Sequence, residues 1–285
     1  MPTRTRSLGA LDLSTRLWWR VTGTRVDLTG GSRWLAAPHN ERGEVGDDWL
    51  HALDRRGLVR PRSADHGLID RVDLLDGPEF ESAGIDPLVR DFYEHTAAWR
   101  MEVWSQWNPL FAPGGALVTR VFGRRIQQLA LPISPMSVSR GMTSGVHVID
   151  TPDGRRDGAA WLRTLRSDRS PVYSGFYQVA APGDAVQPHV KVTFPLEEGN
   201  VQVFLTPRLG DDGSLWLHSR SRTHGADGAY VTARVRNRWY AAMLPLHETF
   251  HVFVDDEGVL RTDHHLRVFG RLALRLHYRL DRTGH

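Results

Sequence analysis

The chain of 285 residues contains no cysteine, and Lys191 is its only lysine among 36 basic residues. The absence of cysteine excludes disulfides, thiolate metal sites, iron–sulfur clusters and a cysteine nucleophile. The other basic residues are arginines interspersed with acidic residues, and the formal net charge is only +3. Because nucleic-acid-binding proteins concentrate basic residues on one face of a recognisable module, we expect no nucleic-acid partner.

Long apolar runs are also missing. The longest stretch without a charged residue, residues 103–119, has 17 residues and contains two prolines and two glycines. A spanning helix needs about 20 apolar residues, so we expect a chain that does not span a membrane. Residues 1–20 carry four arginines and no apolar segment of signal-peptide length, so a cytoplasmic location is expected. Trp104 and Trp107 could touch a lipid surface, which keeps peripheral membrane contact open, but burial in a core is the favoured interpretation.

The second half of the chain has the pattern of short β-strands separated by turns. Residues 99–107 alternate, and about ten further strands follow from residue 146, with turn sequences such as Asp211-Asp212-Gly213 between them. In residues 272–280, leucines and Tyr278 occupy one face and arginines the other, which is typical of an antiparallel strand with one buried face. We therefore predict an α+β, β-rich fold with an antiparallel β-barrel or sandwich of about ten strands, and specifically a lipocalin-like barrel.

Two regions are expected along the chain. Residues 1–84 form a mixed, mainly helical N-terminal region, with short helices at 12–20 and 47–56. Residues 85–285 form the antiparallel β domain with flanking helices. One of these helices, 87–96, begins at Asp86-Pro87, which supplies an N-cap and a proline at the first helical position. The other is predicted at 116–122.

The sequence His247-Glu248-Thr249-Phe250-His251 matches the HExxH pattern of zinc hydrolases. That chemistry needs a helix, which brings residues four apart side by side. Here Pro245 precedes the motif and alternating β-forming residues follow it. On a strand, His247 and His251 would lie about 13 Å apart and Glu248 would point to the opposite face. We therefore expect no metal or other cofactor, and a zinc hydrolase using these residues remains an alternative.

Several short polar and aromatic patterns lie between residues 86 and 280. They are Asp86-Pro87, Asp91-Phe92-Tyr93-Glu94, Trp107-Asn108-Pro109-Leu110-Phe111, Arg124-Arg125-Ile126-Gln127-Gln128-Leu129, Leu244-Pro245-Leu246-His247-Glu248 and Arg267-Val268-Phe269-Gly270. Together they resemble the C-terminal soluble part of the YndJ-like family of uncharacterised bacterial proteins. The resemblance implies no activity and no catalytic residues. Members of that family carry this part beside membrane helices, which this sequence does not show.

Polar side chains are concentrated among tryptophans between residues 94 and 128. Glu94 and His95 are the candidate catalytic residues, because a carboxylate beside an imidazole can carry out acid–base chemistry. An apolar pocket with a few convergent polar groups is the usual form of a small-molecule site. The candidate ligand-binding residues are Trp99, Trp104, Trp107, Arg124, Arg125 and Gln128.

These observations predict a protein that binds an apolar or amphipathic small molecule in an aromatic-lined barrel pocket. Cofactor-independent cyclase or isomerase chemistry in that pocket is a further expectation, since shaping a ligand against polar groups requires no cofactor. The alternatives are the zinc hydrolase and a scaffold domain that binds a protein partner through an aromatic patch.

Overall fold

A computed structural model describes residues 23–44, 46–109, 142–165, 171–221 and 223–283. These ranges contain the α-helices α1 (Asp48–Asp54) and α2 (Pro87–Glu94), and short 3-10 turns at Arg33–Leu35, Val72–Leu75, Ser82–Gly84 and Thr96–Ala98. The strands are β1 (Thr24–Val26), β2 (Trp99–Trp107), β3 (Met142–Asp150), β4 (Arg156–Leu165), β5 (Pro171–Ala180), β6 (His189–Leu196), β7 (Gly199–Leu209), β8 (Leu215–His218), β9 (Gly228–Val235), β10 (Arg238–Leu244), β11 (Leu246–Val254), β12 (Leu260–Val268) and β13 (Arg271–Arg282).

Ten strands form one antiparallel path in the order β2-β13-β12-β11-β8-β7-β6-β5-β4-β3. This sheet curls into a nearly closed barrel. The curl brings Arg163 on β4 to within 5.9 Å of the ring centroid of Tyr278 on β13, although seven strand pairings separate β4 from β13 along the path. The predicted β-rich antiparallel barrel is therefore confirmed.

Strand β7 is long enough to pair with two different strands along one edge. Its first half pairs with β9 and its second half with β8. Strands β9, β10 and β1 form a branch that leaves the barrel at this point.

Strand β4 is the main element that the sequence pattern did not predict. Its centre is Gly158-Ala159-Ala160, which lacks the branched and aromatic side chains that mark strands. The small residues are required by packing, because a Cβ on Gly158 would lie 2.3 Å from the carbonyl oxygen of Tyr177 on β5. Because β4 and β5 approach closely, the centre of β4 has small residues instead of the branched and aromatic residues that predict a strand.

Helix α2 begins as predicted. The side chain of Asp86 accepts a hydrogen bond from the Leu88 amide at 2.7 Å, and Pro87 takes the first helical position. Helix α2 ends at Glu94, two residues before the predicted end. The predicted helix at 47–56 corresponds to α1. The predicted helices at 12–20 and 116–122 lie outside the described residues.

One hydrophobic core joins the residues before β2 to the barrel. Leu68, Val72, Leu75 and Phe92 pack in the same buried cluster as the inward side chains of β4, β6 and β11. For example, the ring of Phe92 on α2 meets the ring of Trp161 on β4 edge to face, at 6.4 Å between centroids. Side chains on both sides of the predicted boundary at residue 84 therefore share this core, and the two-region division stays a prediction.

Candidate functional site

The two predicted catalytic residues lie at the end of α2 and contact different partners. The Glu94 carboxylate accepts a hydrogen bond from the Val72 amide at 2.7 Å and pairs with Arg90 at 3.3 Å. The Nδ1 atom of His95 lies 3.2 Å from a carboxylate oxygen of Asp91. The contacts with Arg90 and Asp91 lie within α2 and its end, and the contact with Val72 joins α2 to the 3-10 turn at Val72–Leu75. The catalytic role of Glu94 and His95 stays a prediction.

The predicted tryptophan cluster is divided between the two faces of β2. Trp99 is buried and donates its indole N–H to Asp91 at 3.0 Å. Trp107 lies on the same face, eight residues or about 26 Å along the strand. Trp104 lies on the opposite face, is 52% exposed and packs beside His277 at 6.0 Å between ring centroids. The remaining predicted ligand-binding residues lie outside the described ranges: Arg124, Arg125 and Gln128.

The HExxH sequence lies on strand β11, so its predicted strand context is confirmed. His247 uses Nδ1 to donate to the carbonyl oxygen of Ser219 at 2.8 Å. His251 stacks on Trp216, with 3.8 Å between ring centroids. Glu248 lies on the opposite face of β11 from both histidines. The side-by-side histidines that a shared zinc ion requires are therefore not formed by this motif.

A different group of polar side chains meets inside the barrel. Its members lie on five strands, with two on β5 and one each on β4, β11, β12 and β13. We call it the Arg163 cluster, and it consists of Arg163, Tyr173, Tyr177, Glu248, His264 and Tyr278. Arg163 and Tyr173 are cross-strand partners on β4 and β5. The hydroxyls of Tyr173 and Tyr177 hydrogen-bond to each other at 2.5 Å.

Arg163 is the central charge of this cluster. Its side chain is buried, with 7% of the residue exposed. The guanidinium carbon lies 5.2 Å from the ring centroid of Trp161 and 5.9 Å from those of Tyr173 and Tyr278. Nη2 has no hydrogen-bond partner, and Arg163 has no ion pair within 4.0 Å among the residues that the structure describes. Such a site stabilises a cation by ring quadrupoles while leaving a donor free.

A carboxylate and an imidazole lie on the β11–β12 side of the cluster. Glu248 and His264 approach to 3.7 Å, and the imidazole of His264 stacks on Phe250 at 3.8 Å between ring centroids. Both ring nitrogens of His264 lack a hydrogen-bond partner among the described residues. A carboxylate and an imidazole without hydrogen-bond partners are thus held on this side of the cluster, where the charge of Glu248 acts on Tyr173 and Tyr278.

The tyrosines of the cluster are neutral hydrogen-bonding groups. Burial raises the pKa of Tyr278 to about 12; the charge of Arg163 and its hydrogen bond to this tyrosine oppose the shift, and the charge of Glu248 contributes to it. Burial likewise raises the pKa values of Tyr173 and Tyr177. One of the Tyr173 and Tyr177 hydroxyls donates to the other, so two of the three phenols keep a proton that can be donated to an acceptor beside the guanidinium. The cluster can therefore bind an anionic group but does not contain an ionised phenol.

Sequence reasoning did not find this cluster. Tyr173 and Tyr177 were recognisable as residues on one face of a strand, but periodicity does not tell a barrel interior from a solvent face. Arg163 was not recognised as an inward-facing residue because its strand, β4, was not predicted.

Comparisons with known proteins support the predicted resemblance. No protein-family model matches the chain, and no solved structure matches it. A Bacillus subtilis (strain 168) protein named "Uncharacterized membrane protein YndJ" is 28% identical to the chain over 263 residues. The aligned region is 91% of this chain and 45% of that protein, so the chain spans about half the length of the curated relative. The sequence-based resemblance is thus confirmed.

Within the described residues, no helix has the length and apolar character needed to cross a membrane. The cytoplasmic location expected from the sequence stays a prediction.

Proposed function

We propose that the β-barrel of this chain, which is similar to the Bacillus subtilis protein YndJ, binds an amphipathic small molecule whose anionic group contacts Arg163. The single observation that carries the proposal is a buried guanidinium, surrounded by three aromatic rings, with a free Nη2. Barrels of about this strand number hold one small ligand in lipocalins, which is the functional analogy that the proposal uses.

Arg163 is a buried charge that hydrogen-bonds to Tyr278 but has no ion pair among the described residues, and a missing anionic partner is the simplest explanation of this arrangement. Effective desolvation of a buried ion costs several kcal/mol, and it is offset only by good hydrogen bonds and an opposite charge. Glu248 supplies charge in the same cluster without an ion pair to Arg163. A carboxylate or phosphate group of a ligand would supply both, in the planar geometry that a guanidinium matches.

The apolar part of the ligand would lie along the hydrophobic inner face of β13 and β2. Leu274, Leu276 and Tyr278 form a buried cluster against which Val103 and Trp107 pack. The curated relative is named a membrane protein, which makes lipid-derived amphiphiles the first molecules to test. If the bound molecule is also converted, Glu248 and His264 are the groups that we assign to proton transfer.

Isothermal titration calorimetry with dodecanoate and with dodecan-1-ol tests the proposal, because these probes share a chain and differ in charge. A hydrogen bond to a charged group contributes about 1.5–3 kcal/mol. We therefore expect dodecanoate to bind about 10-fold or more tightly than the alcohol. Arg163→Met should remove this preference and leave alcohol binding nearly unchanged.

The matched control is Arg155→Met, since Arg155 is an exposed arginine paired with Asp153. It should retain the preference for dodecanoate. Arg163→Met should also unfold at an equal or higher denaturant concentration than the wild type, because apolar replacement of a buried charge is commonly neutral or stabilising. The same preference in Arg163→Met and wild type, or binding of neither probe by the wild type, would refute the proposal.

A further inference from the structure

A polar cleft lies on the outer side of the sheet, away from the Arg163 cluster. Its volume is about 810 Å3, and it lies between β6, β7, β8 and the loops that precede β6 and β9. Thr206 and His189 line it, whereas the adjacent Leu205 and Val190 belong to the barrel core. Alternation along β6 and β7 therefore separates this cleft from the interior.

Three groups in this cleft form a hydrogen-bonded chain. The Nδ1 atom of His189 lies 2.7 Å from the carbonyl oxygen of Gln187, and its Nε2 atom lies 3.0 Å from the Thr206 hydroxyl. A carbonyl oxygen only accepts, so Nδ1 carries a proton. Burial lowers the pKa of His189 below its usual value, which favours the neutral ring. Nε2 then has a lone pair, and the Thr206 hydroxyl donates to it.

The orienting carbonyl is itself held in place. The side chain of Gln187 donates to the carbonyl oxygen of Leu75 at 2.7 Å and accepts from the Glu79 amide at 2.8 Å. Only 4% of Gln187 and 4% of His189 is exposed. A hydroxyl, a neutral imidazole that accepts its proton, and a third group that fixes the imidazole are the components of an activated nucleophile.

We propose that Thr206 and His189 form a nucleophile–base pair that cleaves small polar esters in this cleft. In the acylation step the Thr206 oxygen forms a bond to the ester carbonyl carbon while its proton moves to Nε2 of His189. The bond from that carbon to the alcohol oxygen breaks, and His189 returns the proton to the departing alcohol. Water then attacks the threonine ester, with His189 again taking and returning the proton, and the free acid leaves.

A cation in the cleft can stabilise the negative oxygen that develops in both steps. His218 is the cross-strand partner of Thr206, and the charged side chains of Arg208 and Arg220 line the same cleft. Burial together with these two charges lowers the pKa of His218 to about 4, so His218 is neutral at physiological pH. Glu79, Asp184 and Asp227 also line the cleft, and Glu79 forms an ion pair with Arg208. Arg220 is therefore the cation that we assign to stabilising an oxyanion beside Thr206.

Reaction with p-nitrophenyl acetate, a small activated ester, tests the proposal by two readouts. We expect a stoichiometric burst of p-nitrophenolate and one acetyl group on the peptide that contains Thr206, identified by mass spectrometry. Thr206→Val should abolish both, and Thr206→Ser should retain both. His189→Gln should slow acylation about 100-fold or more, as loss of a general base does.

Thr143→Val is the control, since Thr143 is an exposed threonine that hydrogen-bonds to Thr164 without an imidazole. It should react like the wild type. Thermal unfolding of each variant shows whether it is folded, and Thr206→Ser tests the hydroxyl even if Thr206→Val does not fold. Absence of acetylation at Thr206 in both wild type and Thr206→Ser, or an unchanged rate in His189→Gln, would overturn the proposal.

Discussion

Because the only lysine of the chain is buried, we expect the free energy of unfolding to rise with pH in alkaline solution. Lys191 lies on β6 with 2% of its surface exposed, and its ammonium group donates to the carbonyl oxygens of Trp34 and Ala36 at 3.0 and 2.8 Å. Burial lowers the pKa of this lysine from 10.5 to about 8, although the negative charge of Asp157 opposes the shift. The folded protein should therefore lose the lysine proton at a lower pH than the unfolded chain does.

The sign and size of the effect follow from the two pKa values. Below pH 8 the lysine is protonated in both states, and the cost of burying its charge is fully present. Between pH 8 and 10.5 the unfolded chain binds more protons, so the free energy of unfolding rises with pH. One pKa unit corresponds to about 1.4 kcal/mol, so the rise is about 3 kcal/mol in full and about 2 kcal/mol between pH 8 and 10.

Urea unfolding of the wild type and of Lys191→Met at pH values from 8 to 10 measures this contribution. Buried tyrosines act in the opposite direction, because burial raises their folded pKa values while unfolded tyrosines ionise near pH 10. This effect is common to both proteins and cancels in their difference. The wild type should gain about 2 kcal/mol relative to Lys191→Met over this range.

Because the chain contains no cysteine and no other lysine, tyrosine is the other side chain with an ordinary pKa in this window, and its contribution is common to the two proteins. Reductive methylation with a carbon-13 label would place one lysine signal in an NMR spectrum, and its shift against pH gives the folded pKa directly. A pKa near 10.5, or equal pH dependence of unfolding in the two proteins, would refute the reasoning.

Two further predictions concern the fold. Gly158→Ala should lower the free energy of unfolding by about 1–3 kcal/mol, because its Cβ would collide with the Tyr177 backbone. Gly31→Ala, where a Cβ meets no atom within 4 Å, is the control and should unfold like the wild type in urea. Asp86→Ala should cost about 1 kcal/mol by removing the cap on the Leu88 amide, and Asp86→Asn should restore most of that loss. Equal midpoints for Asp86→Ala and wild type would contradict the capping argument.

The parts of the fold that were predictable are those where one pattern dominates locally. Strand β13 alternates buried leucines with arginines, and β2 was predicted with the bounds that the structure has. Asp86-Pro87 fixed the start of α2, because capping depends on the nearest few residues alone. Strand β4 was missed because its Gly-Ala-Ala centre reflects contact with β5, which no local pattern contains.

The candidate sites could not be predicted for a related physical reason. Arg163 and Tyr278 lie on strands that do not pair, and their side chains meet only because the sheet curls; alternation along a strand predicts a face but not this curvature. The Thr206–His189 pair likewise depends on the exact register of β6 with β7, which side-chain periodicity alone leaves open. Glu248 shows the same dependence on strand register. Its motif suggested a metal, its strand context excluded that geometry, and the pairing of β11 with β12 places its carboxylate 3.7 Å from His264.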